Sequence, residues 1–287
     1  MACGLMSLVA LAQPTIVPLG ALPGGSGSVA RGLSADGRVV AGSAGLLDVN
    51  AFRQHAFRWV DAPGGAVMTD LGALAPERTS LGLSLSADGL VVVGQSGSIS
   101  GDRAFRWTSS GGMVGLGTLS PGDVSSIANG TNADGSVVVG FSFGFPSLTL
   151  RAFRWTSAAG MQDLGVLPGF VNAEATCVSA DGVVVAGTCS NTPGVTGPAF
   201  IWTAGGGMVE LESLTPSAPS TRPMAMTADG STIVGTSSSG FGNRAFRWTP
   251  GLGTQSLGTL PGDTSSEAFG VSADGRTVVG RSSGVGN

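Results

Sequence analysis

Short apolar segments separated by polar turns recur along the chain, and none has the amphipathic spacing that a helical repeat would need. A typical unit starts with "EAFGVS" at residues 267–272 and continues, after an Asp-Gly turn, with the apolar segment "RTVVG". A third segment, "RAFRWT", places Phe153 and Trp155 on one face and Arg154 on the other, because side chains alternate along a strand. The fourth is "GMQDLGVL", closed by a Pro-Gly pair. We therefore expect four strands per unit, with the second covered on both faces.

Three landmarks recur in a fixed order at spacings of 45–52 residues. The motif Leu-Gly-x-Leu-Pro-Gly, or a variant of it, starts at Leu19, Leu71, Leu116, Leu164, Leu211 and Leu257. The turn Ala-Asp-Gly has its aspartate at Asp36, Asp88, Asp134, Asp181, Asp229 and Asp274. The motif Ala-Phe-x-Trp ends at Trp59, Trp107, Trp155, Trp202 and Trp248. Four strands in about 47 residues, repeated along a chain, are typical of a β-propeller blade, whereas a parallel β-helix would have a shorter repeat.

The predicted fold is an all-β propeller of four-stranded blades, with about six blades and the last incomplete. Four positions before each turn aspartate stand the small residues Gly32, Ser84, Gly130, Cys177, Ala225 and Gly270. Two positions earlier stand Ala30, Gly82, Ala128, Ala175, Pro223 and Ala268. Such a small face suits the crowded centre of a propeller. We expect the phenylalanine and tryptophan of each blade to bury a large area against a neighbouring blade. The alternative is a ring of stacking platforms for bases or sugars.

The two ends of the chain depart from the repeat. Residues 1–12, "MACGLMSLVALA", fit a truncated signal peptide, or else an apolar terminal strand, and residues 13–287 are expected to form one propeller domain. The last segment, "RSSGVGN", stops where the next "RAFRW" is due, so the sixth blade is expected to lack its third strand. The segment "TIVPLG" at residues 15–20 is a candidate for a fourth strand that closes the ring.

Composition narrows the classes of partner. Only 11% of the residues are charged, the net charge is −4, and every basic residue is arginine. This balance provides no electrostatic basis for binding nucleic acid or an anionic membrane. No apolar stretch is long enough to span a bilayer. We expect a monomer without a transmembrane segment and without a cofactor.

Residues with catalytic or metal-binding chemistry are sparse, and we expect no catalytic residue and no metal site. His55 is the single histidine, so neither a histidine-rich metal site nor a Ser-His-Asp triad is supported. If residues 180–182 form a three-residue loop, Cys177 lies opposite Val185 and about 13 Å from the position of Cys189. Bridged cysteines need Cα atoms within about 7 Å, so no disulfide is expected, and Cys177 is interpreted as a buried filler.

The aspartates and arginines of the repeat have structural interpretations. Each turn aspartate is expected to cap its own hairpin by accepting from nearby backbone amides. Calcium held by turn oxygens is the alternative, although single aspartates in separate blades are too dispersed for one cage. The arginine of Phe-Arg-Trp is expected to stack and to solvate the strand. Recognition of a nucleic acid is the alternative reading of its alternation with aromatics.

A family resemblance rests on the same motifs. The segments "HAFRW" at residues 55–59, "RAFRW" at three sites and "PAFIW" at one, with "SADG…VVG" and "LGTLPG", resemble the HAF repeat family of extracellular bacterial repeat proteins. The resemblance covers nearly the whole chain after residue 18. It implies export, and in some members an autotransporter barrel or a surface-sorting tail, but no established activity. This chain keeps the histidine once and shows neither tail.

A ligand site in a propeller is expected at the mouth of the central channel, where residues break the repeat. The polar exceptions on the first strands are Arg31, Asn129, Glu174, Arg222 and Glu267. The leading hypothesis is a secreted or cell-surface, non-catalytic binding or structural module for an extracellular carbohydrate or protein. A second hypothesis is a polysaccharide hydrolase or lyase that uses Glu174 or Glu267 as acid or base, which requires two convergent carboxylates. A third is an intracellular scaffold.

Overall fold

The computed structural model describes residues 16–48, 51–75, 78–98, 101–144, 148–217 and 219–284, and the regular elements in these ranges are all β-strands. The predicted signal peptide at residues 1–12 lies outside the described ranges. Within them, no helix has the length and apolar character needed to cross a membrane.

The described residues form 22 strands in six antiparallel sheets, and within each sheet the strands follow one another in chain order. The first sheet contains β1 (Ser28–Leu33), β2 (Val39–Asp48), β3 (Ala51–Val60) and β4 (Val67–Asp70), and the second β5 (Ser80–Leu85), β6 (Val91–Ser98), β7 (Gly101–Thr108) and β8 (Gly112–Gly115). The third contains β9 (Asp123–Thr131), β10 (Val137–Gly144), β11 (Leu150–Thr156) and β12 (Gly160–Asp163), and the fourth β13 (Asn172–Val178), β14 (Val185–Ser190), β15 (Ala199–Thr203) and β16 (Gly207–Leu211). The fifth contains β17 (Thr221–Met226), β18 (Ile233–Ser239), β19 (Gly242–Thr249) and β20 (Gly253–Ser256), and the sixth β21 (Ser265–Val271) and β22 (Val278–Ser283).

The sheets stand around a common axis as the blades of a propeller. Neighbouring Ala-Asp-Gly turns are hydrogen-bonded to each other: the amide of Ala133 donates to the carbonyl of Ala180 (3.1 Å), and that of Ala180 to the carbonyl of Ala228 (2.8 Å). All six blades contribute to an axial cavity of about 350 Å³, through Leu33, Leu85, Thr131, Val178, Met226 and Val271. The structure thus confirms the predicted propeller, and among the described residues the sixth blade contains two strands.

The first strand of every blade carries a β-bulge at the same place. The residue five positions before the turn aspartate is skipped in the pairing, namely Arg31, Leu83, Asn129, Thr176, Met224 and Phe269. Next to the bulge, the backbone of the first strand passes close to the glycine of the second. A Cβ on Gly140 would lie 1.9 Å from the carbonyl oxygen of Ile127. The bulge, which sequence periodicity did not indicate, therefore explains the glycine of the Val-Val-Gly segments.

The small residues on either side of the bulge lie where neighbouring blades come closest. A Cβ on Gly82 would lie 2.7 Å from the carbonyl oxygen of Gly42 in the preceding blade. One on Gly32 would lie 3.0 Å from the backbone nitrogen of Leu85 in the following blade. The predicted crowding of this face at the centre is confirmed.

The phenylalanine of each Ala-Phe-x-Trp strand is fully buried, and from the second to the fifth blade it packs against the preceding blade. Phe153 in the third blade packs with Val93 and Ala104 of the second, and the cluster also includes the leucines of the connecting loop, Leu116 and Leu119. Trp155 packs against the same cluster and is only half-buried. The aromatic residues join the blades as predicted, and phenylalanine is the more completely buried of the two.

The fourth strand is shorter than predicted. In the third blade it ends at Asp163, whereas the prediction extended it over the following "LGVL". The amide of Leu164 donates to the carbonyl of Ala152 (3.0 Å), and Leu164 and Leu167 are buried in the core. The segment leaves the sheet because its two leucines cover the phenylalanine of the next blade.

The N-terminal segment does not provide a closing fourth strand, so that expectation is wrong. Residues 16–20 form no strand in the described part of the chain. A fourth strand pairs with a third, and the sixth sheet consists of β21 and β22 within the described residues. Leu19 and Leu22 pack instead on Phe57 of the first blade, in the role that Leu164 and Leu167 have in the fourth.

The turn aspartates cap their hairpins, as predicted. In the fifth blade, Asp229 Oδ1 accepts from the Thr227 hydroxyl (2.6 Å) and from the Ser231 amide (3.0 Å). These hydrogen bonds, with that of Thr227 contributing most, lower the pKa of Asp229 to about 2. The pKa values of Asp36 and Asp181 are lowered by equivalent contacts, first of all with Ser34 and Ser179.

Candidate functional site

The first strand of each blade runs along the central channel, and its residues line one cavity at the turn end and another at the opposite end. Residues three positions before the turn aspartate, such as Val178, line the axial cavity at the turn end. Residues five and seven positions before it, such as Met224 and Arg222, line a second cavity of about 230 Å³. Because strand side chains alternate, these positions bring the polar exceptions of different blades to the same end.

Glu174 on β13 connects the third, fourth and fifth blades. Its Oε1 accepts from Nδ2 of Asn129 on β9 (3.2 Å) and from Nη2 of Arg222 on β17 (2.9 Å). Asn129 also donates to the carbonyl of Ala175 (2.9 Å). Three of the five predicted site residues therefore form one hydrogen-bonded group across three blades.

Glu267 on β21 lies on the other side of Arg222. Both line the 230 Å³ cavity, together with Met224 and Phe269. Arg222 also borders a smaller cavity of about 50 Å³ that contains Glu174, so it separates the two glutamates. Glu267 is itself paired with Arg281 on β22, with 2.6 Å between Oε2 and Nε.

Arg281 adds an aromatic contact to this end of the channel. Its guanidinium carbon lies 5.9 Å from the centroid of the Phe269 ring, within the range of a cation–π interaction. The side chains of Glu174 and Glu267 balance those of Arg222 and Arg281 in charge. These four side chains give the surface no net charge. The surface offers hydrogen-bond donors, hydrogen-bond acceptors and one exposed aromatic ring.

The structure does not bring Arg31 into this group. Arg31 is exposed at the bulge of the first blade, and within the described residues no hydrogen bond or ion pair joins it to the other candidates. Sequence reasoning missed Phe269 and Arg281. A comparison of the second strands across blades would have found Arg281, since the corresponding residues include Thr188 and Thr236.

No family model matches the chain, and no curated protein matches it. Solved structures do match it. The chain resembles TolB from Acinetobacter baumannii at 16% identity and a TM-score of 0.50, over 77% of this chain and 51% of that one. It resembles a protein assigned as TolB from Agrobacterium tumefaciens at 15% identity and a TM-score of 0.56, over 89% of both chains.

A third match is an oligogalacturonate lyase in complex with manganese, at 14% identity and a TM-score of 0.58, over 90% of this chain and 71% of that one. The chain spans about half of the Acinetobacter protein. At these identities the likeness extends to the fold alone.

The contacts of His55 join the first blade to the second. Its Nδ1 lies 2.9 Å from Asp70 Oδ1, and its Nε2 lies 3.2 Å from the carbonyl oxygen of Arg78 in the second blade. Two of the three arginines at the same motif position make the equivalent contact: Arg103 donates to the carbonyl of Val124 (2.7 Å) and Arg244 to that of Thr264 (2.7 Å). The third, Arg151, pairs with Asp163 of its own blade. His55, Arg103 and Arg244 therefore link adjacent blades.

Three of the four arginines of Phe-Arg-Trp also link blades, a role that the interpretation as stacking and solvating groups did not include. Nε of Arg106 donates to the carbonyl of Gly135 in the next turn (2.8 Å), and Arg58 and Arg154 make the corresponding contacts. Burial lowers the pKa of Arg58, and the charge of Asp88 opposes this effect. Their Nε–H groups are thus engaged within the fold.

Cys177 and Cys189 are free and buried. Cys177 pairs with Ala186 and not with Val185 as predicted, because Val178 is the residue opposite Val185. Burial raises the pKa of the Cys177 thiol to about 12. Across the described ranges, no three His, Cys, Asp or Glu side chains are grouped so that they could hold a metal ion.

Proposed function

We propose that this chain is a non-catalytic binding module of an exported, cell-surface repeat protein, and that it binds carbohydrate at the channel end that carries Asn129, Glu174, Arg222 and Glu267. Export is supported by the resemblance to HAF repeat proteins and by the apolar run at residues 1–12. The observation that carries the binding function is the convergence of these polar exceptions from four blades.

The chemistry of this end suits a polyhydroxylated ligand. Sugar hydroxyls both donate and accept hydrogen bonds, and the site offers carboxylates beside guanidinium and amide groups. Phe269 provides an apolar ring for a sugar face. The 230 Å³ cavity is smaller than the usual small-molecule site of about 300–1,000 Å³, so we infer that it holds one end or branch of a larger glycan.

The state of the two glutamates favours binding over catalysis. Glu174 accepts from Asn129 and Arg222, and Glu267 is paired with Arg281. A glycosidase needs one carboxyl group that delivers a proton to the leaving group and a second that acts on the sugar. Here both carboxylates are already engaged by guanidinium groups, and Arg222 stands between them.

A glycan array followed by calorimetric titration tests the proposal. We expect saturable binding of a glycan by the full chain, and at least a tenfold loss of affinity in Arg222→Ala and Glu174→Gln. Arg31→Ala is the matched control, since it removes an exposed arginine outside the group, and it should bind like the parent.

Two results would overturn the proposal. One is the absence of glycan binding, or binding that Arg222→Ala and Arg31→Ala reduce equally. The other is release of new reducing ends or unsaturated sugars from the bound polysaccharide in a way that Glu174→Gln or Glu267→Gln abolishes, which would make the chain an enzyme.

A further inference from the structure

The smaller of the two cavities at the channel end has a polar and an apolar wall. It measures about 50 Å³ and is lined mainly by residues of β13, β14 and the loop that follows β14. Thr196 and Arg222 border both this cavity and the 230 Å³ cavity. A ligand in the larger cavity can therefore extend a substituent into the smaller one. We call the smaller cavity the side pocket.

The side pocket is open because the fourth blade has small hydroxyl residues where the third blade has phenylalanines. Thr188 and Ser190 of β14, which line the pocket, hold the register positions of Phe141 and Phe143 on β10. In the third blade the two rings stack, with their centroids 6.1 Å apart. The replacement of two rings by two hydroxyl side chains leaves the space that forms the pocket.

Asn172 contributes a buried hydrogen-bond donor to the side pocket. It lines the pocket and is only 2% exposed. Its Oδ1 accepts from the amide of Leu150 (2.9 Å), and this contact fixes which end of the side-chain amide is the oxygen. The other end, Nδ2, has no hydrogen-bond partner within the described structure. Because buried polar groups almost always have a partner, this donor points to a ligand atom that accepts a hydrogen bond.

Glu174 contributes an acceptor to the same pocket. Its Oε1 accepts from Asn129 and Arg222, whereas for Oε2 the contact in the described structure is Nη1 of Arg222 at 3.5 Å. A carboxylate oxygen has about two lone-pair sites, so Oε2 can accept from a ligand N–H or O–H group. The negative charge of Glu174 disfavours a ligand carboxylate in the pocket.

The remaining wall and the size of the pocket favour a group larger than a hydroxyl. Leu150, Ala173 and Val195 supply apolar atoms. A cavity holds one water-sized group in about 10–15 Å³, so 50 Å³ corresponds to about three to five such groups. A single hydroxyl would satisfy the polar atoms but would leave the apolar wall uncovered.

We propose that the side pocket binds the acetamido group of an N-acetylated amino sugar and so determines the specificity of the carbohydrate site. The acetamido oxygen accepts from Nδ2 of Asn172, its N–H donates to Oε2 of Glu174, and its methyl group packs on Leu150 and Val195. The sugar ring then lies in the 230 Å³ cavity. This inference rests on the proposed carbohydrate function and names the class of ligand.

Two trisaccharides with the same β-1,4 linkage test the inference. One is the trimer of N-acetylglucosamine, and the other is the trimer of glucose, which has a hydroxyl in place of each acetamido group. Calorimetric titration of the full chain gives the ratio of their dissociation constants. We expect the acetylated trimer to bind at least about tenfold more tightly, since the glucose trimer leaves Asn172 without its partner.

Asn172→Asp removes the donor but keeps the oxygen that accepts from the amide of Leu150. It should reduce the preference for the acetylated trimer by about tenfold, and thermal unfolding verifies that the variant is folded. Val195→Asp tests the apolar wall at a residue that is 58% exposed, so the fold is retained, and it should also reduce the preference. Val209→Asp is its matched control, since Val209 is 60% exposed on the outer strand β16 and lies outside both cavities.

Equal affinities for the two trimers would overturn the inference and leave the carbohydrate function standing. The same holds if Asn172→Asp keeps the full preference, or if Val195→Asp and Val209→Asp behave alike. Binding that depends on Arg222, but of a glycan without an acetamido group and not of the acetylated trimer, would also overturn the inference alone. If no glycan binds, the proposed function itself fails.

Discussion

Replacing Ser126 with alanine tests whether buried serines hold neighbouring blades together. Ser126 lies on β9 and is fully buried. Its Oγ accepts from the amide of Ala104 (2.9 Å) and donates to the carbonyl of Gly117 (2.6 Å), and both of these groups belong to the preceding repeat. Ser80 and Ser266 make the same two contacts in the second and sixth blades.

The substitution leaves one backbone donor and one backbone acceptor without their partner. A buried polar group that loses its partner costs about 1–3 kcal/mol, and two such groups that relax together should cost about 2–4 kcal/mol. For a chain of this size, each kcal/mol lowers the melting temperature by about 2–4 °C, so we expect a decrease of about 4–16 °C. The fourth blade has Ala173 at this position, and there Asn172 accepts from the amide of Leu150 instead (2.9 Å).

Thermal unfolding followed by tryptophan fluorescence measures this effect. Ser125→Ala is the control, since Ser125 is the adjacent, half-buried serine and its hydroxyl makes no hydrogen bond within the described residues. If Ser126→Ala and Ser125→Ala melt within about 2 °C of each other, the serine contacts do not stabilise the blade interface and the reasoning is refuted.

Three further results are expected. Because the folded-state pKa of Asp229 is about 2 against an ordinary 3.8, its stabilising effect is full above pH 3.8 and is lost as the pH falls towards 2. Urea midpoints should therefore fall less steeply over that range in Asp229→Asn than in the parent, and equal slopes would contradict the assignment. His55→Arg should keep the parent's melting temperature while His55→Ala costs about 1–2 kcal/mol, and equal losses would argue against the blade-linking role. In a Cys3→Ser variant, Cys177 and Cys189 should resist a thiol reagent until urea unfolds the chain, since burial raises both pKa values; rapid native labelling would contradict their burial.

The fold could be predicted because each element has a local signal that recurs. The Asp-Gly turn fixes a hairpin, the Val-Val-Gly segment requires cover on both faces, and Phe153 with Trp155 marks one buried face. The bulge at Asn129 has no such signal. It follows from the close approach of the Ile127 carbonyl to Gly140, which only the paired strands reveal.

The contacts between blades were harder to predict than the blades. Arg106 and His55 were assigned general roles because their partners, the carbonyls of Gly135 and Arg78, lie 29 and 23 residues away. Alternation shows which way a side chain leaves its strand, but not which backbone group of the neighbouring blade it meets.

Departures from the repeat identified the candidate site only where they occur in neighbouring blades. Asn129, Glu174 and Arg222 belong to three successive blades, and each completes the hydrogen bonding of another. Arg31 departs from the repeat as clearly, but within the described residues no hydrogen bond joins it to another exception, and it remains exposed. Positions that recur in every blade, such as that of Phe153, are occupied by the contacts that join blades. A binding surface on such a ring can therefore be built only from exceptions, and an exception contributes to it only when the adjacent blade has one within hydrogen-bonding distance.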